Sequence, residues 1–176
     1  MNLNALIVDD DTKLLTILKS LLTEEKLDVT TSDNGLDAIN KCTEQQFDLI
    51  ISDLMMPGAS GLEVLKEARK VSPATLVILV TGFASLETAI EAIREGAYDY
   101  ITKPFKLDEI KIVVNNAKEK IYLVRENERL FRELQDAYQQ LHMVKKIMGA
   151  HQEDYMDGAS PERILRTNEP LIAGSM

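Results

Sequence analysis

Three carboxylates, one hydroxyl and one ammonium group stand where short apolar segments of the sequence end. Asp9 and Asp10 end the first segment, Asp53 ends the third, Thr81 ends the fourth and Lys103 follows the fifth. If these segments are parallel strands, their carboxyl ends meet at one edge of a sheet, where open α/β proteins bind ligands. Carboxylates so close together repel one another, which predicts a raised pKa for at least one of them and a hard divalent cation between them.

Magnesium is the cation that this group of side chains favours, because it needs few protein ligands and is readily completed by a phosphate oxygen. Asp53 stands alone after the central segment, so we predict that it attacks phosphorus and forms an acyl phosphate. Asp9 and Asp10 are adjacent and better placed to hold the cation. Lys103 would balance charge on the phosphoryl oxygens, and Thr81 would donate a hydrogen bond to one of them. The alternative for any single Asp is a helix cap.

The elements that must position these residues alternate between short apolar segments and longer segments of helical period. The predicted strands span residues 3–8, 27–31, 47–52, 74–81 and 97–102, and the first four helices span residues 11–24, 35–44, 61–71 and 85–95. Strands this short and this rich in Val, Ile and Leu are typical of a parallel sheet that is buried on both faces. We therefore predict the α/β class, with a doubly wound five-stranded parallel sheet.

A long helix is predicted after the last strand, because the sequence contains neither Pro nor Gly between Pro104 and Gly149. Its apolar residues form a first stripe and a second stripe, each with spacings of three and four: Leu107, Ile110, Val114, Ala117, Ile121 and Val124, then Leu130, Leu134, Ala137, Leu141, Val144 and Met148. The two stripes are out of phase by one residue, which is about 100° on a helix. We predict that the first packs on the sheet and the second pairs with another helix as a coiled coil; the alternative is a solitary helix that frays.

Composition excludes several classes of protein. The chain has 176 residues, and 20 Lys and Arg stand against 29 Asp and Glu, a formal net charge of −9. Without a basic cluster, direct nucleic-acid binding is not expected, and no apolar run approaches the roughly 20 residues of a membrane span. A lone Cys42 and an N-terminus without a secretory pattern favour the cytoplasm. The predicted organisation is a domain over 1–120, a coiled-coil extension over 121–148 and a polar, mobile tail over 149–176.

Four motifs resemble the receiver domain of two-component response regulators: VDDD (8–11), DLMMPGASG (53–61), TGFAS (81–85) and YITKPF (100–105). The resemblance covers residues 1 to about 120 and is closest to receivers of the NtrC class of transcription activators. It implies the CheY-like, flavodoxin-like strand order 2-1-3-4-5. It also implies that a sensor histidine kinase phosphorylates Asp53, with Asp9, Asp10 and the backbone carbonyl of Met55 around Mg²⁺.

The resemblance further implies how a signal leaves the domain. Lys103 and Thr81 contact the phosphoryl group, Lys103–Pro104 is expected as a cis peptide, and Tyr100 rotates inward as Thr81 moves. This changes the face formed by the fourth helix, fifth strand and fifth helix. Because the long helix begins on that face, we predict a homodimer through this face and the coiled coil, acting on an unknown downstream protein. We expect no enzyme activity beyond gain and loss of the phosphoryl group, and no ATPase or DNA-binding domain in this sequence.

Two positions are expected to set the lifetime of the phosphoryl group. Met55 and Phe83 lie two residues after Asp53 and Thr81. Apolar side chains there admit an attacking water poorly, which predicts a long-lived phosphorylated state.

Three other functions are alternatives to phosphorylation-controlled signalling. A flavin-binding protein of the same fold needs a phosphate-cradling loop after the first strand, where this chain has the acidic VDDD, so it is disfavoured. An aspartyl-nucleophile phosphatase of the haloacid dehalogenase type usually carries Asp-x-Asp, whereas Asp53 is followed by Leu54 and Met55. A scaffold or dimerisation protein with a vestigial acidic pocket is the remaining alternative.

Overall fold

A computed structural model describes residues 2–147, with side chains through residue 144. The elements alternate as predicted: β1 (Leu3–Val8), α1 (Thr12–Glu24), β2 (Leu27–Ser32), α2 (Gly35–Glu44), β3 (Leu49–Asp53), α3 (Gly61–Val71), β4 (Leu76–Thr81), α4 (Leu86–Arg94), β5 (Asp99–Thr102) and α5 (Leu107–Ile147). β3, β4 and β5 each begin two residues later than predicted. Met148 and the predicted tail over 149–176 lie outside the described residues.

The five strands form one parallel sheet in the order β2-β1-β3-β4-β5, which confirms the predicted class and strand order. The register aligns the ends of the strands. Val8 pairs with Ser52, Asp53 pairs with Val80, and Thr81 pairs with Thr102. The residues that end or follow β1, β3, β4 and β5 therefore leave the sheet at the same edge.

Two apolar clusters cover the two faces of the sheet. One contains buried side chains of α1 and α5, such as Leu18 and Ile110, and the other contains side chains of α2 and α3, such as Ala38 and Val64. β1, β3 and β4 are covered on both faces, as predicted. The same prediction was wrong for β2 and β5, which are the edge strands and contain exposed and half-buried residues.

Side-chain caps determine where the first four helices begin. The carboxylate of Asp11 accepts hydrogen bonds from the N–H groups of Lys13 and Leu14 at the start of α1. Asn34, Ser60 and Ser85 cap α2, α3 and α4. Each satisfies backbone donors that a helix leaves unpaired in its first turn.

The chain divides into two compact units, Met1–Glu128 and Arg129–Met176, and α5 contains residues of both. In the first unit the middle of the first stripe is buried in the sheet cluster, as predicted: Ile110, Val114, Ala117 and Ile121. The ends of that stripe, Leu107 and Val124, were predicted to pack as well, but both are 44% exposed. In the second unit the second stripe is exposed as far as it is described. Across the part of the chain that is described, no helix is long and apolar enough to cross a bilayer.

Candidate functional site

The acidic group predicted from the strand ends is assembled at one edge of the sheet. Carboxylate oxygens of Asp9, Asp10 and Asp53 all lie within 4.8 Å of one another. Asp9 and Asp53 are only 2% and 7% exposed, whereas Asp10 is exposed. Together with Thr81 and Lys103, these residues form what we call the acidic edge.

Lys103 connects the two buried carboxylates. Its Nζ lies 2.6 Å from Oδ2 of Asp9 and 2.6 Å from Oδ2 of Asp53, and it follows β5 directly before a cis peptide to Pro104. Burial alone would lower the pKa of Lys103, but hydrogen bonds and attraction to Asp53 and Asp9 outweigh burial and raise it. The ammonium therefore stays charged and offsets part of the negative charge of the two aspartates.

The pKa of Asp9 is raised, as predicted, although the predicted cause, repulsion between carboxylates, contributes least. Burial is the largest cause, because a buried carboxylate loses the water that solvates its charge. Hydrogen bonds from Lys103 and from the N–H of Asp11 act in the opposite direction, and repulsion from Asp53 is the smallest contribution. The depth of Asp9 in the sheet edge, more than its acidic neighbours, thus favours its protonated form.

Backbone N–H groups hold the second oxygen of each buried aspartate. The Asp11 N–H donates to Oδ1 of Asp9 at 2.9 Å, and the Met55 N–H donates to Oδ1 of Asp53 at 3.0 Å. The sequence contains no side-chain signal for either donor. Gly61, at the start of α3, contributes by its size, because a Cβ there would overlap the carbonyl oxygen of Asp53. Both carboxylates are therefore fixed at each of their oxygens.

The remaining predicted residues lie around this centre. Thr81 is fully buried and its hydroxyl accepts the N–H of Phe83 at 3.1 Å. Tyr100 is half-buried, and its hydroxyl lies 2.9 Å from Oγ1 of Thr88 at the start of α4. The side chains of Met55 and Phe83 are mostly exposed. The register of β3 and β4 thus places Thr81 next to Asp53, while a hydrogen bond joins Tyr100 to α4.

The donor set fits a magnesium ion. All of the candidate side-chain ligands are carboxylate oxygens, which are the atoms that hard divalent cations prefer. The exposed position of Asp10 leaves a solvent side on which water or a phosphate oxygen could complete the coordination. The cluster is therefore compatible with a metal site of the type predicted.

Comparison with known proteins identifies the domain that contains this site. Residues 5–115 match the family described as the response regulator receiver domain. Over 112 residues the chain is 38% identical to the transcriptional regulatory protein ZraR of Klebsiella oxytoca, covering 64% of this chain and 25% of ZraR. Over 139 residues it is 34% identical to the regulatory protein AtoC of Escherichia coli (strain K12), covering 79% of this chain and 30% of AtoC. The chain spans less than a third of the length of these relatives.

A solved structure gives the same result for the fold. The solution structure of the beryllofluoride-activated NtrC4 receiver domain dimer matches with a TM-score of 0.63 and 31% identity, over 67% of this chain and 98% of that chain. The family match includes the whole acidic edge, from Asp9 to Lys103. Receiver domains are signalling modules rather than metabolic enzymes. The relatives of this chain are regulators of the NtrC class. The chain therefore belongs to the response regulator receiver domain family of two-component, phosphorylation-controlled signalling.

Proposed function

We propose that Asp53 accepts a phosphoryl group from a sensor histidine kinase, in the presence of Mg²⁺, and that this chain transmits the change through its own association. The observation that carries the proposal is the contact of one ammonium group, on Lys103, with both Asp9 and Asp53. A nearly buried carboxylate with a fixed cation beside it suits attack on phosphorus, because the cation is already in place when charge builds up on the phosphoryl oxygens.

Transfer breaks the P–N bond of the kinase's phosphohistidine and forms a bond between a carboxylate oxygen of Asp53 and phosphorus. The electron pair of the broken bond stays on the histidine nitrogen, which takes up a proton, and Asp53 becomes an acyl phosphate. Lys103 balances charge on the phosphoryl oxygens. Thr81, whose hydroxyl oxygen accepts the Phe83 N–H, uses its hydroxyl hydrogen to donate to one of them.

The proposed ligands of Mg²⁺ are the carboxylates of Asp9, Asp10 and Asp53 and the backbone carbonyl of Met55. When bound, the ion supplies positive charge that offsets repulsion between these carboxylates and the incoming phosphoryl oxygens. Burial raises the pKa of Asp9, and the Asp11 N–H donates a hydrogen bond to its Oδ1. A proton on Asp9 would compete with the ion.

The proposed response begins with about two added negative charges at the acidic edge. Thr81 moves toward the phosphoryl group and Tyr100 turns inward, which requires its hydroxyl to leave Thr88. The face formed by α4, β5 and α5 changes in consequence. We propose that this face forms a homodimer, as supported by the dimeric state of the activated NtrC4 receiver.

The second stripe of α5 is the other proposed contact of the homodimer. Its exposed residues repeat with the spacing of a coiled coil, and a helix of this kind is marginal in water without a partner. The proposed division is a receiver domain over 1–120, a coiled coil over 121–148 and a tail over 149–176. An unknown downstream protein would read the dimer, and a buried, free Cys42 suits the cytoplasm.

Incubation with acetyl phosphate and Mg²⁺, followed by intact mass measurement, tests the proposal. We expect the mass of one phosphoryl group on the wild type and none on Asp53→Asn, which keeps the shape of the side chain. Asp28→Asn, an exposed aspartate on β2, is the matched control and should be phosphorylated normally. An unmodified wild type would contradict the proposal and favour a scaffold, whereas steady turnover of small phosphate esters would favour a phosphatase.

A further inference from the structure

Helix α4 is weakly attached to the rest of the domain along its length. Ala92 is its one buried residue. The apolar side chains of Leu86, Ile90 and Ile93 lie at the surface instead of in the core. A helix that contributes so little to the core is held mainly at its ends, and the two ends of α4 are held in different ways.

The C-terminal end of α4 closes with a complete Schellman motif. The N–H of Gly96 donates to the carbonyl of Ile93 at 3.0 Å, and the N–H of Ala97 donates to the carbonyl of Ala92 at 2.9 Å. Gly96 has a φ of +86°, the left-handed conformation that this motif requires and that glycine adopts without strain. The motif does not satisfy the carbonyls of Glu95 and Gly96 themselves.

Arg69, on α3, satisfies those two carbonyls from outside the helix. Its Nη1 donates to the carbonyl of Gly96 at 3.0 Å and to that of Glu95 at 3.4 Å. A Cβ at Gly96 would overlap Nη1 of Arg69, so the guanidinium lies directly against the glycine backbone. Lys66, one helical turn earlier, pairs with the Glu95 carboxylate at 3.3 Å. Two cations of α3 thus contact the negative end of the α4 dipole.

The N-terminal end of α4 has a local cap and a side-chain hydrogen bond to the sheet. Ser85 and Thr88 cap each other reciprocally, within the helix itself. The contact with the sheet is the hydrogen bond between Thr88 and Tyr100, the side chain that the proposed function requires to turn. Residues 82–87 are all exposed. This end can therefore move at little cost in buried contacts.

We infer that Arg69 is a positioning residue that fixes the C-terminal end of α4, so that α4 moves mainly at its N-terminal end when Asp53 is modified. The first half concerns the resting domain, and only the second half rests on the proposed function. Arg69 contacts Gly96, which precedes the amino end of β5, whereas Asp53 lies at the carboxyl end of β3. Arg69 therefore acts on α4 at the opposite end of the strands from the proposed phosphorylation site.

Residue-resolved amide hydrogen exchange on Arg69→Gln tests the first half. We expect the amides of Gly96 and Ala97 to exchange roughly tenfold faster than in the wild type, because two hydrogen bonds from a charged donor are lost. The amides of Phe83 and Thr88 should change less than about twofold. Arg94→Gln is the matched control, since it removes an exposed arginine from α4 itself. Unchanged exchange in Arg69→Gln, or equal acceleration in Arg94→Gln, would overturn the inference.

A double-mutant cycle with Gly96→Ala keeps the test decisive if Arg69→Gln loosens the whole domain. Strain from the positive φ is present in both backgrounds and cancels in the cycle. Overlap with the guanidinium is removed only when Arg69 is absent. Gly96→Ala should therefore destabilise the Arg69→Gln protein less than the wild type. Strictly additive effects on the free energy of unfolding would show that the guanidinium of Arg69 does not lie against Gly96.

Beryllofluoride with Mg²⁺ tests the second half. Amide chemical shifts of the wild type should change within residues 82–90, and in Arg69→Gln the changes should extend to residues 93–97. Wild-type changes at 93–97 as large as those at 82–90 would overturn this half. If no shift changes anywhere in the wild type, including residues next to Asp53, the proposed function fails, while the exchange experiment still decides the role of Arg69.

Discussion

The acidic edge and the second stripe of α5 differ in what a single chain can complete. At the acidic edge, each oxygen of Asp9 and Asp53 already has a donor from the same chain. Along the second stripe, Leu130, Leu134 and Leu141 are each more than half exposed. The acidic edge needs only a cation and a phosphoryl group, whereas the second stripe needs another apolar surface to cover it.

This difference separates the chemistry of the protein from its output. Phosphorylation needs the residues of one chain only, so it should also occur in the monomer. Association should depend on protein concentration. Substitutions at the acidic edge should affect it only where they change the amount of phosphorylated protein. Substitutions that affect one property and spare the other would support this separation, and substitutions that affect both equally would contradict it.

The largest effect is expected from Lys103→Met, which leaves two nearly buried carboxylates without their cation. The free energy of unfolding at neutral pH should fall by about 3 kcal/mol, as when one partner of a buried ion pair is removed. The loss should shrink toward pH 5, because removal of the ammonium raises the pKa of Asp9 further and protonation then relieves the repulsion. Urea unfolding at both pH values measures this. Lys106→Met, at an exposed lysine, is the control and should cost little.

The next effect concerns the second stripe. Leu134→Lys with Leu141→Lys should weaken dimerisation by roughly 100-fold, because two apolar contacts per chain are replaced by charges. Light scattering with beryllofluoride and Mg²⁺ measures the association, and the variant should still form the acyl phosphate. Gln135→Lys with Gln139→Lys adds the same charges beside the stripe and should leave the dimer intact. A wild type that stays monomeric with and without beryllofluoride would refute the proposed output.

A smaller effect is expected from pH on metal binding. Because burial raises the pKa of Asp9, a proton competes with Mg²⁺ at higher pH than at an ordinary aspartate. Affinity measured by calorimetry at neutral and at acidic pH should be lower at the acidic value, as one ligand becomes protonated. Asp9→Asn should bind weakly at both pH values and lose most of this dependence. Equal affinity of the wild type at the two values would contradict the assignment of Asp9 as a ligand.

The smallest effect is on the metal-free protein. A carboxyl group whose pKa is raised by folding contributes stability below its unfolded pKa, and that contribution is lost as pH rises through the folded value. Asp9 therefore weakens the metal-free domain at neutral pH, and Asp9→Asn should slightly raise the urea midpoint there. The gain should vanish under acidic conditions, where the wild-type side chain is neutral. A lower midpoint at neutral pH would show that the contact with Lys103 outweighs burial.

Much of the fold and the placement of the site follow from the sequence, because strand period and strand ends are local properties. The five chemical residues converge since parallel strands share an edge, and no distance had to be known. The extent of burial is not local. Leu107 and Val124 continue the spacing of the first stripe, yet they lie beyond the part of α5 that is buried against the sheet. For the same reason the sequence indicates the repulsion that raises the Asp9 pKa but not the larger effect of burial, since burial depends on neighbours distant in the sequence.

Main-chain donors and helix-end contacts are the other features that the sequence conceals. The N–H groups of Asp11 and Met55 hold the aspartates, and any residue type could supply them. Gly96 is visible in the sequence as a turn residue, but nothing marks Arg69 as its neighbour, because the two are joined only when α3 and α4 pack side by side.

Borohydride trapping after incubation with acetyl phosphate and Mg²⁺ identifies the residue that accepts the phosphoryl group. Borohydride reduces an acyl phosphate to an alcohol, so peptide mass spectrometry locates the aspartate that carried the phosphoryl group. We predict homoserine at position 53, dependent on Mg²⁺ and present in dilute as well as in concentrated protein. Reduction at Asp9 or Asp10, or none at all, would contradict it.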